Sequence, residues 1–315
     1  ENGLDKVEAM KHTYKKLKLS CLVVLGGNGS QKTANMLSEE GLNVVSLPKT
    51  IDNDLAATDH TPGYGSAAKY IASTMKEIIR DALVQPIKIV NIIEIMGRNA
   101  GWLTAAAALA KGDDCEGADL IYLPETVFDI NKFVAKVQEI QKTKKQIVVA
   151  VSEGVKTADG KYVCESASSN MLVDSFGHKQ LSGTATALAN VISNEIGCKT
   201  RAIEFSTIQR CASHIASLTD VNEAFIVGGI AVKAAFDGET GKVGIFQRLS
   251  NKPYLMGTSI YDVNAIANVE KTVPQEWIIN DGTGVSQEAL DYMRPLIQGE
   301  IYPYMVDGLP RHIKL

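Results

Sequence analysis

Short apolar runs alternate with helical stretches along most of this chain, and the alternation limits its possible folds more than any other feature. The runs are apolar at nearly every residue, which is typical of strands buried on both faces of a parallel sheet. We expect strands at residues 21–25, 43–47, 89–95, 120–123, 147–151, 202–205 and 243–246. Helices are expected at 31–40, 65–81, 100–111, 130–142 and 182–196. The pattern predicts a doubly wound α/β protein, and 315 residues are enough for two domains or one large one.

Composition argues against several classes of function. The formal net charge is −4 and 22% of the residues are charged, so neither nucleic acid nor an anionic membrane is an expected partner. The chain has no run of 18 apolar residues, and its charged first 18 residues lack the apolar core of a signal peptide. Its five cysteines are scattered without CxxC spacing, which predicts reduced thiols and neither a disulfide framework nor a zinc site. A cytoplasmic location fits all of this.

Five predicted strands end in residues suited to binding phosphates or sugars. Ligands of open α/β sheets bind beyond the carboxyl ends of the strands. The segments that follow the five strands are 26–30, 48–54, 96–98, 152–154 and 206–210. We expect their glycines, hydroxyls, carboxylates and cations to meet at one sheet edge.

The first two segments have the composition of a phosphoryl-donor site. The glycines of residues 26–30 would let the backbone approach a phosphate, which the N-terminus of the following helix would also attract. Asp52 and Asp54 could serve as a base and as a Mg²⁺ ligand, and Lys49 could neutralise the moving phosphoryl group. Without a ligand, the same residues would form a tight βα turn and a solvated Asx turn. The residues alone leave both interpretations open.

Charged residues at the other strand ends could bind a sugar phosphate. Arg98 could bind the phosphate and Glu153 could accept hydrogen bonds from sugar hydroxyls. Arg201 and Arg210 bracket one strand and could serve different ligands or a neighbouring subunit. The alternative is a surface ion pair for each arginine and a solvated strand end for Glu153. His60, near the acidic loop, either contacts a ligand or is a loop histidine with internal partners.

Several motifs in a fixed order resemble those of one enzyme family. GGNGS begins at residue 26, PKTIDND at residue 48 and TDHTPGYGSA at residue 58, and EIMGRNAGWLTAAAALA, VAVSEG and TRAIEFSTIQR follow. They resemble the GGDGS, P-x-TIDND, TD-x-T-x-G, MGR, sugar-binding and TRA…GHIQRGG motifs of the 6-phosphofructokinases, over most of residues 18–260. The resemblance implies two Rossmann-like parallel-sheet domains and phosphorylation of the 1-hydroxyl of fructose 6-phosphate in glycolysis. It also implies a homodimer or homotetramer.

The resemblance assigns a role to each matching residue. Asp52 would be the base that takes the hydroxyl proton, assisted by Thr50, Lys49 and Arg98, while Asp54 and Asn28 would organise Mg²⁺. The donor phosphates would lie against Gly26, Gly27, Asn28, Gly29 and Ser30. The sugar would be held by Thr50, Ile51, Asp52, Met96, Gly97, Arg98, Glu153, Thr207 and Arg210. Arg201 would reach the sugar phosphate of an adjacent subunit.

The resemblance also divides the chain. Residues 1–63 and 209–258 would form the donor-binding domain, and residues 64–208 and 259–315 the sugar-phosphate-binding domain with a C-terminal extension. The family's opening glycine-rich phosphate loop has no counterpart here, and the predicted first helix leads directly into a strand. An earlier βα unit is therefore expected before this segment.

Some residues depart from the family pattern. Asn28 replaces an aspartate linked to Mg²⁺, and an amide oxygen is a weaker ligand for this cation than a carboxylate. Thr207 replaces a phosphate-binding histidine, and Cys211 and Ala212 replace two glycines. Before the MGR strand, where the family has a further arginine that reaches an adjacent subunit, this chain has Lys88.

The choice of phosphoryl donor depends on two residues. Gly29 leaves room for a nucleotide, which favours ATP, whereas Lys49 is typical of pyrophosphate users. We expect ATP with Mg²⁺, in a subgroup that carries both residues, and keep pyrophosphate as the alternative. Two other hypotheses stay open. NAD and lipid kinases share a GGDG-like loop but lack the TIDND segment, and a regulatory paralogue would bind sugar phosphate without catalysis.

Overall fold

Two units fold around separate sheets in the computed structural model, which describes residues 5–166, 181–267 and 269–314. Unit one takes Glu1–Thr50, Asp54–Pro62 and Val221–Lys271, and unit two takes Ile51–Asn53, Gly63–Asp220 and Thr272–Leu315. The chain therefore changes unit after residues 220 and 271, rather than after 208 and 258, and the TIDND segment is divided between the units. The binding role predicted for each unit stays a prediction.

The sheet of unit one has the strand order β1-β2-β7-β8. Its elements are α1 (Lys6–Lys16), β1 (Leu22–Gly26), α2 (Asn28–Glu39), β2 (Val44–Pro48), most of α7 (Leu218–Phe236), β7 (Lys242–Asn251) and β8 (Tyr254–Asp262). The first three strands are parallel, as predicted, and β8 pairs antiparallel with β7. The sequence analysis missed β8 and α7. In β8 the polar sequence Gly257-Thr258-Ser259 interrupts the apolar run, and α7 has no polar face that would give it a clear helical period.

Strand β1 lies at the edge of this sheet and is only half buried. Leu22 and Val24 pack against the core of the unit, while Val23 and Leu25 are 42% and 61% exposed. The sequence predicted this strand correctly, and among the described residues only one of its two faces is covered.

The sheet of unit two is entirely parallel, in the order β4-β5-β3-β6. Its main elements are α3 (Tyr64–Leu83), β3 (Ile89–Ile95), α4 (Trp102–Ala105), β4 (Leu120–Tyr122), α5 (Ile130–Ile140), β5 (Gln146–Ser152), α6 (Thr184–Ile196) and β6 (Lys199–Glu204). Valines and isoleucines of β3 and β5 pack against apolar residues of α5 and α6 in one core. The helix predicted at 100–111 is α-helical only in α4 and continues as a 3₁₀ helix, Ala106–Ala110.

The C-terminal part of unit two has short elements, as its weaker βα rhythm predicted. They are β9 (Ile278–Ile279), β10 (Gly284–Val285), α8 (Gln287–Met293), β11 (Met305–Val306) and β12 (Leu309–Pro310). All five cysteines are free thiols. Among the described helices, none combines the length and the apolar composition that crossing a bilayer requires.

Since the strands belong to two sheets, the five predicted strand ends do not meet at a single edge. Segments 26–30 and 48–50 follow β1 and β2 of unit one, whereas segments 96–98, 152–154 and 206–210 follow β3, β5 and β6 of unit two. The sequence predicted each strand end but not the sheet to which it belongs.

Candidate active site

In unit one, the glycine-rich turn leads from β1 directly into α2. Gly27 precedes the helix in an extended conformation, and among the described residues no side chain caps the first turn of α2. A Cβ atom on Gly26 would lie 2.0 Å from Ser30 Oγ, so only glycine fits at this position. The N–H groups of the first turn, which includes Gly29 and Ser30, thus remain open to an anion such as phosphate.

Asn28 links this turn to the acidic segment. Its Nδ2 donates a 3.0 Å hydrogen bond to Asp54 Oδ2. The backbone of Lys49 donates to the carbonyl of Gly26 over 3.0 Å. A Cβ atom on Gly27 would lie 3.4 Å from Thr50 Cβ. The structure therefore brings the predicted donor residues and Lys49, Thr50 and Asp54 together in unit one.

In unit two, the turn after β3 is organised by Glu153. Its Oε1 accepts hydrogen bonds from the backbone N–H groups of Gly97, over 3.3 Å, and Arg98, over 3.1 Å. Both of these residues have positive φ angles, of 136° and 52°. A Cβ atom on Gly154 would lie only 1.5 Å from the carbonyl oxygen of Arg98. Glu153 is thus a buried organiser of the turn, not a solvated strand end.

Carboxylates gather around this turn. Burial, together with the negative charges of Asp52 and Glu94, raises the pKa of Glu153 to about 7, although the hydrogen bonds from the backbones of Arg98 and Gly97 lower it. Burial also raises the pKa of Glu94 to about 7, although its Oε2 accepts a 2.8 Å hydrogen bond from the backbone of Ala185 in α6. The sequence analysis missed Glu94. Its signal was a carboxylate inside the otherwise apolar strand β3.

The acidic segment is also anchored in unit two. Asn53 is fully buried, has a φ of 57° and donates from Nδ2 to the hydroxyl of Tyr292 over 3.0 Å. Ile51 and Asp52 precede it, and both are partly buried. The bond to Tyr292 joins residues 239 positions apart, so sequence alone gave no sign of it.

The remaining predicted sugar ligands follow or lie within β6. Thr207 and Arg210 are exposed in a 3₁₀ helix, Ser206–Arg210. The residue before this helix, Phe205, donates its backbone N–H to the carbonyl of Glu94 in β3. Arg201 forms a 2.6 Å ion pair with Asp81. It pairs with Asn91 of β3, four residues before that strand ends, so it lies roughly 13 Å from the strand end that carries Met96 and Arg98. The structure therefore does not bring Arg201 to this turn.

The predicted metal ligands offer oxygen atoms suited to Mg²⁺. This cation is commonly held by one or two carboxylates while substrate phosphates complete its coordination. Asp54 provides a carboxylate and Asn28 an amide oxygen, and the hydrogen bond from Asn28 Nδ2 to Asp54 Oδ2 keeps the two side chains adjacent. Across the described residues, no group of three or more His, Cys, Asp or Glu side chains forms a protein-only metal site. The donor set fits a cation that arrives with phosphates.

Comparison with known proteins tests the predicted family. The phosphofructokinase family matches residues 2–210. The chain belongs to the phosphofructokinase family. The prediction of family, parallel-sheet α/β fold and phosphotransferase class is thereby confirmed, and the NAD or lipid kinase hypothesis is wrong.

Relatives within the phosphofructokinase family differ in the donor for which they are named. A pyrophosphate–fructose 6-phosphate 1-phosphotransferase from Halomonas elongata is 39% identical over 298 residues, which cover 92% of this chain and 70% of the relative. An ATP-dependent 6-phosphofructokinase from Spirochaeta thermophila is 43% identical over 155 residues, which cover 49% and 40%. The crystal structure of a pyrophosphate-dependent phosphofructokinase from Marinobacter aquaeolei superposes with a TM-score of 0.84 at 34% identity, over 97% of this chain and 74% of that one.

Proposed function

We propose that this chain transfers a phosphoryl group from pyrophosphate to the 1-hydroxyl of fructose 6-phosphate. The main support is that the Halomonas elongata relative, named for this reaction, matches nearly the whole chain. The expectation of ATP is thus less well supported than its alternative. Lys49 is a physical reason to prefer pyrophosphate, because a cation beside the donor turn offsets the dense negative charge of a small donor.

In this proposal, the donor phosphates bind at the open first turn of α2. Asn28 and Asp54 would hold Mg²⁺, which supplies positive charge to the donor phosphates as the bond to the leaving group breaks. Lys49 would neutralise charge on the transferred group, and Thr50 would orient it. Unit one would accordingly be the donor-binding part of the chain.

The sugar would be held by unit two. Asp52 would accept the proton of the 1-hydroxyl as a general base. Glu153 would accept hydrogen bonds from sugar hydroxyls, and Arg98 and Arg210 would bind the phosphate with their planar guanidinium groups. Met96 and Gly97 would line the same turn, and Thr207 would contribute a hydroxyl where the family pattern has histidine.

ATP is the second candidate donor. Gly29 carries no side chain in the first turn of α2, so a nucleotide could extend past this position without a steric clash. The Spirochaeta thermophila relative, named as ATP-dependent, also supports it. A homodimer or homotetramer in the cytoplasm completes the proposal, with Arg201 facing the sugar phosphate of a second subunit.

A coupled assay of fructose 6-phosphate phosphorylation with Mg²⁺ and either pyrophosphate or ATP tests the proposal. We expect turnover with pyrophosphate, and a loss of about 10²-fold or more in Asp52→Ala. Turnover with ATP alone would reverse the choice of donor. Sugar-phosphate binding without turnover would identify the regulatory paralogue instead.

Two variants sharpen the choice of donor. Lys49→Gly should raise KM for pyrophosphate if the cation compensates the small donor, whereas Gly29→Asp should weaken only ATP, because its side chain would occupy the nucleotide path. Arg201→Ala, combined with light scattering, tests the oligomer. An oligomer whose KM for the sugar is unchanged by this substitution would exclude a shared site.

A further inference from the structure

A cluster of buried and partly buried side chains in unit one, all polar except one phenylalanine, includes residues from the segment that follows Asp54. Here it is called the His60 cluster, and its members are Thr58, Asp59, His60, Glu223, Phe246, Arg248 and Tyr254. They come from residues 58–60, from α7 and from the hairpin of β7 and β8. The roles proposed above for the donor site do not use any of them.

His60 is the centre of the cluster. Its side chain is 1% exposed, with Nδ1 2.9 Å from Asp59 Oδ1 and Nε2 2.8 Å from Glu223 Oε2. Its ring stacks on Phe246 with centroids 4.5 Å apart. Burial alone would lower the pKa of His60, but the hydrogen bonds to both carboxylates outweigh burial and raise it. Because a neutral imidazole has one N–H, donating to two ionised carboxylates requires the imidazolium form.

The two carboxylates have further partners. Asp59 accepts three hydrogen bonds from the guanidinium of Arg248, at 2.9 to 3.1 Å. Glu223 accepts a 2.7 Å hydrogen bond from the hydroxyl of Tyr254. One buried and one partly buried anion therefore face two cations, and the charges are compensated within the cluster. His60 is the loop histidine with internal partners, not one that faces a ligand.

The backbone of residues 58–60 is fastened to β7. Asp59 N donates to the carbonyl of Phe246 over 3.0 Å. The hydroxyl of Thr58 accepts from Phe246 N over 3.0 Å and donates to the carbonyl of His60 over 2.9 Å. Side-chain and backbone bonds together hold this segment in one conformation.

This anchored segment in turn holds the backbone of Thr50. The hydroxyl of Thr61 donates to Thr50 O over 2.7 Å, and Thr50 N donates to the carbonyl of Pro62 over 3.2 Å. Both backbone polar groups of Thr50 are thus bound by residues that directly follow His60.

The backbone of Asp54 is held in a similar way. Lys271 Nζ donates to the carbonyls of Thr58, over 3.1 Å, and Asp59, over 2.6 Å, while Lys271 N donates to Asp54 O over 2.7 Å. Lys271 therefore connects the His60 cluster to Asp54.

We propose that the His60 cluster positions Thr50 and Asp54, and that His60 is a positioning residue for the donor site. The inference rests on the proposed function, because it requires these two residues to bind the donor. Placement within a few tenths of an ångström matters for such a site, since a misplacement of 1 Å can reduce turnover by about 10²-fold. The sugar turn in unit two has its own supports, Glu153 and Gly154, and should not respond.

The test uses His60→Gln, which keeps one amide donor and loses the charge, and the milder Thr58→Val, which removes the hydroxyl at constant shape. We expect kcat/KM for the donor to fall at least about tenfold in His60→Gln. The Kd for fructose 6-phosphate, measured without donor, should change less than twofold. Amide hydrogen exchange should accelerate across residues 50–62. Ile79→Val, a substitution in a residue that is 3% exposed in unit two, is the control for lost stability alone.

The outcomes distinguish failure of the proposed phosphotransferase function from failure of the positioning role of the His60 cluster. If the wild type transfers phosphate from neither donor, the proposed function fails, and the Kd for Mg²⁺-pyrophosphate by calorimetry, together with hydrogen exchange, still tests the cluster. If both variants match Ile79→Val in donor kinetics and in exchange at residues 50–62, the positioning role is wrong. If Kd for the sugar rises as much as KM for the donor, the effect is general loss of structure and the inference is also overturned.

Discussion

Gly154 occupies a position where no side chain can fit, and this makes it a sensitive test of the sugar turn. The Cβ atom of an alanine would lie 1.5 Å from the carbonyl oxygen of Arg98 and 2.5 Å from its carbonyl carbon. Both obstacles are backbone atoms, so no change of rotamer relieves the clash. In Gly154→Ala the turn that carries Arg98 must move.

The size of this movement follows from the geometry. Since side-chain carbons essentially never approach another heavy atom closer than 3.0 Å, the carbonyl must retreat by about 1.5 Å. Because a 1 Å misplacement can cost about 10²-fold in rate, we expect kcat/KM for fructose 6-phosphate to fall by at least about 10²-fold. Overpacking of this kind typically destabilises a protein by about 1–3 kcal/mol.

The assay compares kcat/KM for the sugar, Kd for the donor and the melting temperature in wild type and variant. Gly160→Ala is a matched control in the hairpin after Gly154, with a φ of 79° and no described atom within 4 Å of the added Cβ. It should cost about 1 kcal/mol of stability and leave kcat/KM unchanged. If Gly154→Ala keeps its kcat/KM within threefold of the wild type, Arg98 is not the sugar-phosphate ligand described above.

Three further perturbations test other parts of the two units. Asn28→Asp places a second carboxylate against Asp54, so the free energy of unfolding measured in EDTA should fall by about 1–3 kcal/mol. Adding Mg²⁺ should restore most of this loss, and equal losses with and without Mg²⁺ would contradict the prediction. Glu153 has a folded pKa of about 7 against an ordinary 4.5, so the unfolded chain loses its proton first. The free energy of unfolding therefore falls as pH rises through this interval, by at most about 3.4 kcal/mol. Glu153→Gln should flatten that pH profile in urea denaturation, and a profile as steep as that of the wild type would refute the raised pKa. Asp220 accepts three hydrogen bonds from the start of α3, at 2.5 to 3.0 Å, so Asp220→Ala should lower the free energy of unfolding by about 2 kcal/mol without changing donor affinity.

Much of the fold followed from local pattern. The four strands of the parallel sheet in unit two were predicted to within a few residues because apolar residues dominate β3, β4 and β5 and form part of β6. Sheet membership was not predicted, because pairing depends on contacts between distant residues. In unit one, β2 and β7 pair although about 200 residues separate them, and most of the intervening chain forms the other unit. No feature within either strand specifies that partner.

For the candidate site, motifs predicted the residues but not how they are held. The GGNGS and TIDND motifs identified Asn28 and Asp54 separately, whereas their hydrogen bond depends on how two loops pack. His60 was noticed only for its position near the acidic loop. Its partner Glu223 lies 163 residues away in α7, a helix that the sequence analysis did not predict.

The buried carboxylates of unit two bear on whether the chain is an enzyme or a binding paralogue. Glu153 and Glu94 each have a pKa of about 7, so their ionisation opposes folding at neutral pH, and the charge of Asp52 adds to the cost for Glu153. Glu94 and Glu153 at least bind backbone N–H groups, of α6 and of the sugar turn, which offset part of this cost. A neutral asparagine at position 52 would relieve the repulsion and could still accept a hydrogen bond from a sugar hydroxyl. Proton abstraction does require a carboxylate there, so the charge arrangement of unit two favours the catalytic interpretation over the regulatory one.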